Sequence, residues 1–133
     1  MSSSRIRSYA APLARARGLG SAKEGVEHWW LQRLTALALV VLTLWFVWVV
    51  VRLSHATHDQ ALAFVAQPCN TVLLILTSVT SFWHAALGLQ VVYEDYIGHE
   101  GARLGAIVLT KFAAVVLIAA TCIAVLRIAF GVV

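Results

Sequence analysis

"SFWHAALGLQVVYEDYIG", residues 81–98, opens as an uncharged apolar run and closes on an acidic pair and a tyrosine. Its reading depends on whether His84 lies in water, in a protein core or in lipid. The flanking sequence answers that. Hydrophobic residues make up 61% of the 133 and charged residues 12%, whereas soluble domains run near half apolar and a quarter charged. Between Thr71 and Tyr93 no residue is charged, between Trp29 and Val51 only Arg33 is, and between Leu104 and Leu126 only Lys111 is. Each run meets the roughly 20 residues needed to cross a hydrocarbon core about 30 Å thick. With mean hydropathy at +0.85, the chain reads as an all-α integral membrane protein of three transmembrane helices. A single apolar run satisfies all of its own backbone groups only as a helix.

The formal charge is +4 and the pI near 9.6, but the basic residues are few and no groove-reading motif accompanies them, so nucleic acid is not an expected partner. Arg5, Arg7, Arg15, Arg17 and Lys23 all precede the first span, and residues 54–68 carry neither Lys nor Arg. By the positive-inside rule the N-terminus lies in the cytoplasm and the C-terminus outside. The first 23 residues are rich in Arg and Ser and lack acids, a composition shared by transit peptides and by plain cytoplasmic tails. A tail fits the prompt start of the apolar segments. That places the chain in a bacterial inner membrane, in preference to a mitochondrial one. Cys69 and Cys122 are far apart and lack metal-ligand spacing, and they read as ordinary small side chains.

Residues 1–27 are expected to form a cytoplasmic segment and residues 28–131 a three-helix anchor, with spans near 29–53, 69–93 and 104–129. Pro12, Gly18 and Gly20 disfavour a continuous helix in the tail. Ser21 and Glu24 have capping-box spacing, although Gly25 weakens a helix that continues beyond them. In "GVEHWWLQRLTA", residues 25–36, His28, Trp29 and Trp30 fall in the interfacial zone, where indoles form a belt. His55 and His58 have a possible ligand spacing but no third partner, and read as exposed loop residues. Pro68 suits the first turn of the second span. Lys111 and Arg127 can snorkel towards opposite interfaces. A chain this small has little protected interior, so partner helices are expected.

On a helix, His84 shares a face with Thr77, Ser81, Gly88 and Val91, and Asp95 returns to nearly the same azimuth. Small and hydroxyl side chains there suit close approach by a neighbouring helix or a flat ligand. His84 lies roughly 14 Å from the expected cytoplasmic end of its span at 1.5 Å per residue, well inside the hydrocarbon. Two readings follow: a neutral imidazole ligating haem iron, or a buried histidine closing an interhelical hydrogen bond. With no second convincing intramembrane histidine in the chain, another protein of the assembly would have to supply the second axial ligand.

Other residues carry paired readings too. Arg33, just inside the first span beside His28 and Gln32, can reach a haem propionate, a polar quinone environment or lipid phosphate. Tyr96 can hydrogen-bond a quinone carbonyl with Asp95 orienting the network, or it can belong to the aromatic belt. Tyr93 is the reserve candidate. Glu94, Asp95, His99 and Glu100 also suit a solvated turn.

The combination of "GVEHWWLQRLTA", "SFWHAALGLQVVYEDYIG" and three spans resembles the small hydrophobic membrane-anchor subunits of succinate dehydrogenase (respiratory complex II). The resemblance covers roughly residues 20–130 and is anchored by H-x3-G-x6-D-Y, here His84, Gly88, Asp95 and Tyr96. Gly25, His28, Arg33, Thr35 and Ala36 reinforce it. It implies that His84 is an axial ligand of a haem b shared with a companion anchor, with His28 and Arg33 as cofactor-binding residues. It further implies that Tyr96 and Asp95 belong to the pocket for ubiquinone or another quinone. The implied partners are a flavoprotein, an iron–sulfur protein and a second membrane anchor, within a heteromeric helical bundle in lipid. The chain has no flavin- or cluster-binding domain and would not be an enzyme alone. It also lacks the arginine-proline and serine-proline-histidine elements of the companion anchor. Two alternatives stay open: a quinol:fumarate reductase anchor, and a structural membrane protein without haem.

Overall fold

The computed structural model describes residues 21–132, with side chains from Val26 onward. The tail arginines, Pro12, Gly18, Gly20 and the side chains of the Ser21–Glu24 pair therefore lie outside what is described. Four helices follow in order: α1 Ser21–Leu53, α2 His58–Val65, α3 Pro68–Tyr96 and α4 Glu100–Ala129. No strand occurs among the described residues.

Three of these helices are long and apolar enough to cross a membrane: Val26–Leu53, Pro68–Tyr96 and Glu100–Ala129. They contain 28, 29 and 30 residues, about 42–45 Å at 1.5 Å per residue. That exceeds the hydrocarbon thickness, so both ends of each span reach the headgroup layers. Asp95 and Tyr96 consequently sit in the last helical turn of α3, and α4 begins at Glu100 instead of near residue 104. The earlier start has a local cause: His99 is the N-cap, its Nδ1 accepting from the Ala102 amide at 3.3 Å. Helix α1 continues through Gly25; one helical glycine costs about 1 kcal/mol, less than several backbone groups left unpaired near lipid.

The chain divides at Leu31/Gln32 into two units. In the first, Trp29 and Trp30 are exposed and meet edge to face with ring centroids 5.1 Å apart, as befits an interfacial belt. In the second, Leu34, Leu37, Val40, Val41, Leu44 and Val47 are exposed along one broad face of α1, and the opposite side carries the buried Leu42 and Val49, so the helix is apolar on both. A helix apolar on every side belongs in lipid or among other helices.

Helix α2 departs from the expected loop. Thr57 caps it in a reciprocal box: its hydroxyl accepts from the Gln60 amide at 3.4 Å, and the Gln60 side-chain carbonyl accepts from the Thr57 amide at 3.0 Å. That satisfies two donors that a helix start otherwise leaves unpaired. Asn70 and the buried Thr71, in the first turn of α3, donate to the Phe64 and Val65 carbonyls at 2.8 and 2.7 Å. At this same C-terminal turn of α2, Trp48 packs on Phe64 with centroids 6.4 Å apart, and the Arg52 guanidinium lies 5.4 Å over the Trp48 ring. The short helix is thus fastened to the last turns of α1 and the first turn of α3.

Helix α3 supplies most of the buried residues: Thr71, Thr80, Ala86 and Leu87, against Leu42 and Val49 of α1 and Ala114 of α4. Small side chains recur where α3 meets α4: Ala85, Ala86, Ala113 and Ala114 line a cleft of about 430 Å³ between them. Helix α4 ends in a Schellman motif: Gly131 adopts φ 68°, the Val132 amide donates to the Arg127 carbonyl at 2.8 Å and the Gly131 amide to that of Ile128 at 3.1 Å.

Candidate functional site

His84 is partly buried in the middle of α3, about 18 Å of helix from its C-terminal end. Its Nδ1 lies 2.9 Å from Thr35 Oγ1 on α1. The Thr35 hydroxyl in turn donates to the Gln32 carbonyl one turn back, at 3.1 Å. The second ring nitrogen of His84, Nε2, has no hydrogen-bond partner among the described residues. His84 therefore does close an interhelical hydrogen bond, and does so with one nitrogen only.

One turn along α3, Gly88 faces α1 at the level of Gln32: a Cβ on residue 88 would stand 3.6 Å from Gln32 Nε2. The Gln32 Oε1 is buried with no partner among the described residues, as is the Gln90 Oε1, although Gln90 Nε2 donates to Glu94 at 2.8 Å. In the other direction along α3, Ser81 and Thr77 line a cleft of about 500 Å³ with Thr43 and Thr121. The Thr77 and Thr121 hydroxyls donate to the Leu73 and Leu117 carbonyls at 2.7 and 2.8 Å. Their polarity is thus absorbed by their own helices. The face of His84, Ser81, Thr77 and Gly88 is a helix interface, as its small residues suggest. It opens out at its far end, where Val91 and Asp95 are exposed.

His84 also lines a second open cleft, about 440 Å³, against Ala36, Leu39, Val40, Thr43 and Leu44 of α1. Apart from the imidazole and one threonine its walls are aliphatic. No group of three or more His, Cys, Asp or Glu able to enclose a metal occurs among the described residues. An imidazole with one nitrogen hydrogen-bonded and the other free can contribute a single bond to a metal whose remaining ligands come from elsewhere.

The other candidates stand apart. Tyr96 is 85% exposed at the end of α3, Asp95 is exposed beside it, and neither side chain makes a hydrogen bond among the described residues. The reserve candidate, Tyr93, is engaged: its hydroxyl is 3.1 Å from Thr110 Oγ1 of α4. Arg33 is exposed on α1, about 160° around the helix from Thr35 at 100° per residue. His28 Nε2 is buried without a hydrogen-bond partner among the described residues. His55 and His58 are exposed, with His58 opening α2. Cys69 and Cys122 are both free thiols.

A family model for the succinate dehydrogenase/fumarate reductase transmembrane subunit matches residues 7–126. The chain is 35% identical over 117 residues to the succinate dehydrogenase hydrophobic membrane anchor subunit of Rickettsia bellii (strain RML369-C), covering 88% of this chain and 94% of that one. It is 33% identical over 123 residues to the anchor of the same description from Paracoccus denitrificans, covering 92% and 95%. With the succinate dehydrogenase membrane anchor subunit of Reclinomonas americana it shares 30% identity over 96 residues, 70% and 80% of the two chains. No solved structure matches it. A match along nearly the whole chain, with three lipid-length helices and a polar contact between two of them, leads to one conclusion: the chain belongs to the succinate dehydrogenase/fumarate reductase family of hydrophobic membrane anchor subunits.

Proposed function

We propose that this anchor serves a succinate:quinone oxidoreductase, holding one side of a haem b and contributing to the site where quinone accepts electrons. The observation that carries the haem reading is the hydrogen bond between Thr35 and His84 Nδ1, which leaves Nε2 unpaired beside an open, largely aliphatic cleft. Those residues fit the group. The imidazole of His84 would supply one bond to the iron, the alkyl wall suits a flat macrocycle, and the open side leaves room for a companion anchor to bring a second histidine. Haem b, when bound, supplies a one-electron relay within the membrane. His28 and Arg33, towards the N-terminal end of α1, are the residues we assign to its propionates. The fixed donor fork of a guanidinium suits Arg33 to that role.

The quinone reading rests on Tyr96 and Asp95. The Tyr96 hydroxyl is presented outward from the last turn of α3, where a partner's surface can complete a pocket around it. There the phenol donates to a quinone carbonyl, and the Asp95 carboxylate beside it orients the donor. In this reading the turn between α3 and α4 faces the cytoplasm with the N-terminus, and the C-terminus is periplasmic. A flavoprotein and an iron–sulfur protein dock on the cytoplasmic side, the second anchor packs alongside, and lipid covers the remaining apolar faces.

The test is the His84→Ala variant in the purified, assembled complex. Loss of the axial-ligand features from the reduced-minus-oxidised haem spectrum is the expected result. A wild-type spectrum from a complex of unchanged protein composition would assign the iron to another residue.

A further inference from the structure

Thr35 has one proton to give, and both the Gln32 carbonyl and His84 Nδ1 lie within reach of it. Its oxygen is 3.1 Å from the Gln32 carbonyl and 2.9 Å from His84 Nδ1. A hydroxyl carries a single O–H and two lone pairs, whereas a carbonyl oxygen can only accept. Threonine inside a helix habitually returns its proton to a carbonyl three or four residues back. With the proton directed to Gln32, what Thr35 offers His84 is a lone pair.

We propose that Thr35 is the positioning residue that holds His84 as the Nδ1–H tautomer, so that the Nε2 lone pair is the one available to a metal. This rests on the reading of His84 as an iron ligand and adds the group that sets its proton. The opposite tautomer would put two lone pairs 2.9 Å apart across the helix interface, unless Thr35 turned its proton away from α1. Hydrocarbon around the spans offers no water to relieve such a mismatch. Being β-branched, threonine also has few χ1 choices on a helix, so the acceptor stays where the ring needs it. The same hydrogen bond fixes the plane of the imidazole and raises the electron density at Nε2, as partners on the far nitrogen of metal-bound histidines do. A serine could offer the lone pair with less fixed geometry. A valine of nearly the same shape could not offer it at all.

The assembled complex separates these roles. Thr35→Val preserves volume and removes the acceptor; it should raise the haem midpoint potential, alter the low-spin electron paramagnetic resonance of the ferric haem, and weaken haem retention on the order of 10- to 100-fold. Thr35→Ser should stay close to wild type in all three. If the valine variant assembles poorly, Thr35→Ala against Thr35→Ser gives the same contrast, since both lose the methyl group and only one loses the hydroxyl. Wild-type potential and resonance in Thr35→Val, or identical behaviour of the Ala and Ser variants, would overturn the proposal. His84→Ala measured in parallel distinguishes the two failures. If it loses the axial spectrum while the Thr35 variants change nothing, only the role of Thr35 falls. If it too is unchanged, the ligand reading falls and this inference with it.

Discussion

Tyr93 and Thr110 join α3 to α4 through a side-chain hydrogen bond of 3.1 Å, one turn before the exposed Tyr96. The two tyrosines occupy the same end of the helix with opposite employment: one is spent on internal packing, the other is presented outward. Removing both hydroxyls separately and together, as Tyr93→Phe and Thr110→Val, should give a coupling of about 0.6 kcal/mol in a double-mutant cycle, the usual size for such bonds between membrane helices. Thermal unfolding of the assembled complex measures it. Zero coupling would mean that the contact does not bind the two helices together.

Tyr96→Phe isolates the outward hydroxyl. Quinone-linked turnover should fall on the order of 10²-fold, a typical loss when a positioned proton donor is removed. Succinate oxidation with a soluble artificial acceptor should persist. Normal quinone turnover and affinity in a complete complex would return Tyr96 to the aromatic belt. Asp95 is a less clean probe, because its loss also changes local charge.

Arg33→Leu keeps part of the alkyl contact and removes the donor fork. If Arg33 meets a propionate, haem retention should weaken roughly 10- to 100-fold, the equivalent of about 1.5–3 kcal/mol for a charge-assisted hydrogen bond. Unchanged haem content, spectrum and quinone kinetics would instead place the guanidinium at lipid phosphate.

Gly88 offers a graded test of the α1–α3 interface. A methyl group there would meet Gln32 Nε2 at 3.6 Å, ordinary van der Waals distance. Gly88→Ala should therefore be neutral or, through helix propensity, stabilising by up to about 1 kcal/mol. Gly88→Leu should cost about 1–3 kcal/mol by overpacking and should disturb His84 one turn away. Equal thermal stability of the two variants would show that this face is not tightly packed.

Long uncharged runs made the three spans plain in the sequence, because lipid imposes one requirement along the entire length of a helix. Helix α2 is shorter and its cause more local. Its signal was present as Thr57 and Gln60 in capping-box spacing, masked by the histidines around it. The face of His84 was legible from helical periodicity on α3, where Ser81, Thr77 and Gly88 break an otherwise bulky surface. Its partner was not. Helix α1 is apolar on all sides, so no azimuth stood out to say that Thr35 would meet His84. Nor could spacing separate Tyr93 from Tyr96, since that difference depends on Thr110 of another helix.

The fastening of α2 bears on how this anchor answers the bilayer around it. Trp48, Phe64, Asn70 and Thr71 tie the ends of α1 and α3 together, and Thr35 meets His84 at 2.9 Å near mid-membrane. Two neighbouring spans joined at two heights cannot ratchet past each other: a shift of one helical turn, about 5.4 Å, would carry the hydroxyl out of hydrogen-bonding range of the ring. A thinner or thicker membrane must then be met by tilting the pair as one body, the other response open to mismatched helices. The height of His84 relative to Thr35 on α1 is then held by the protein itself, whatever the tilt of the pair.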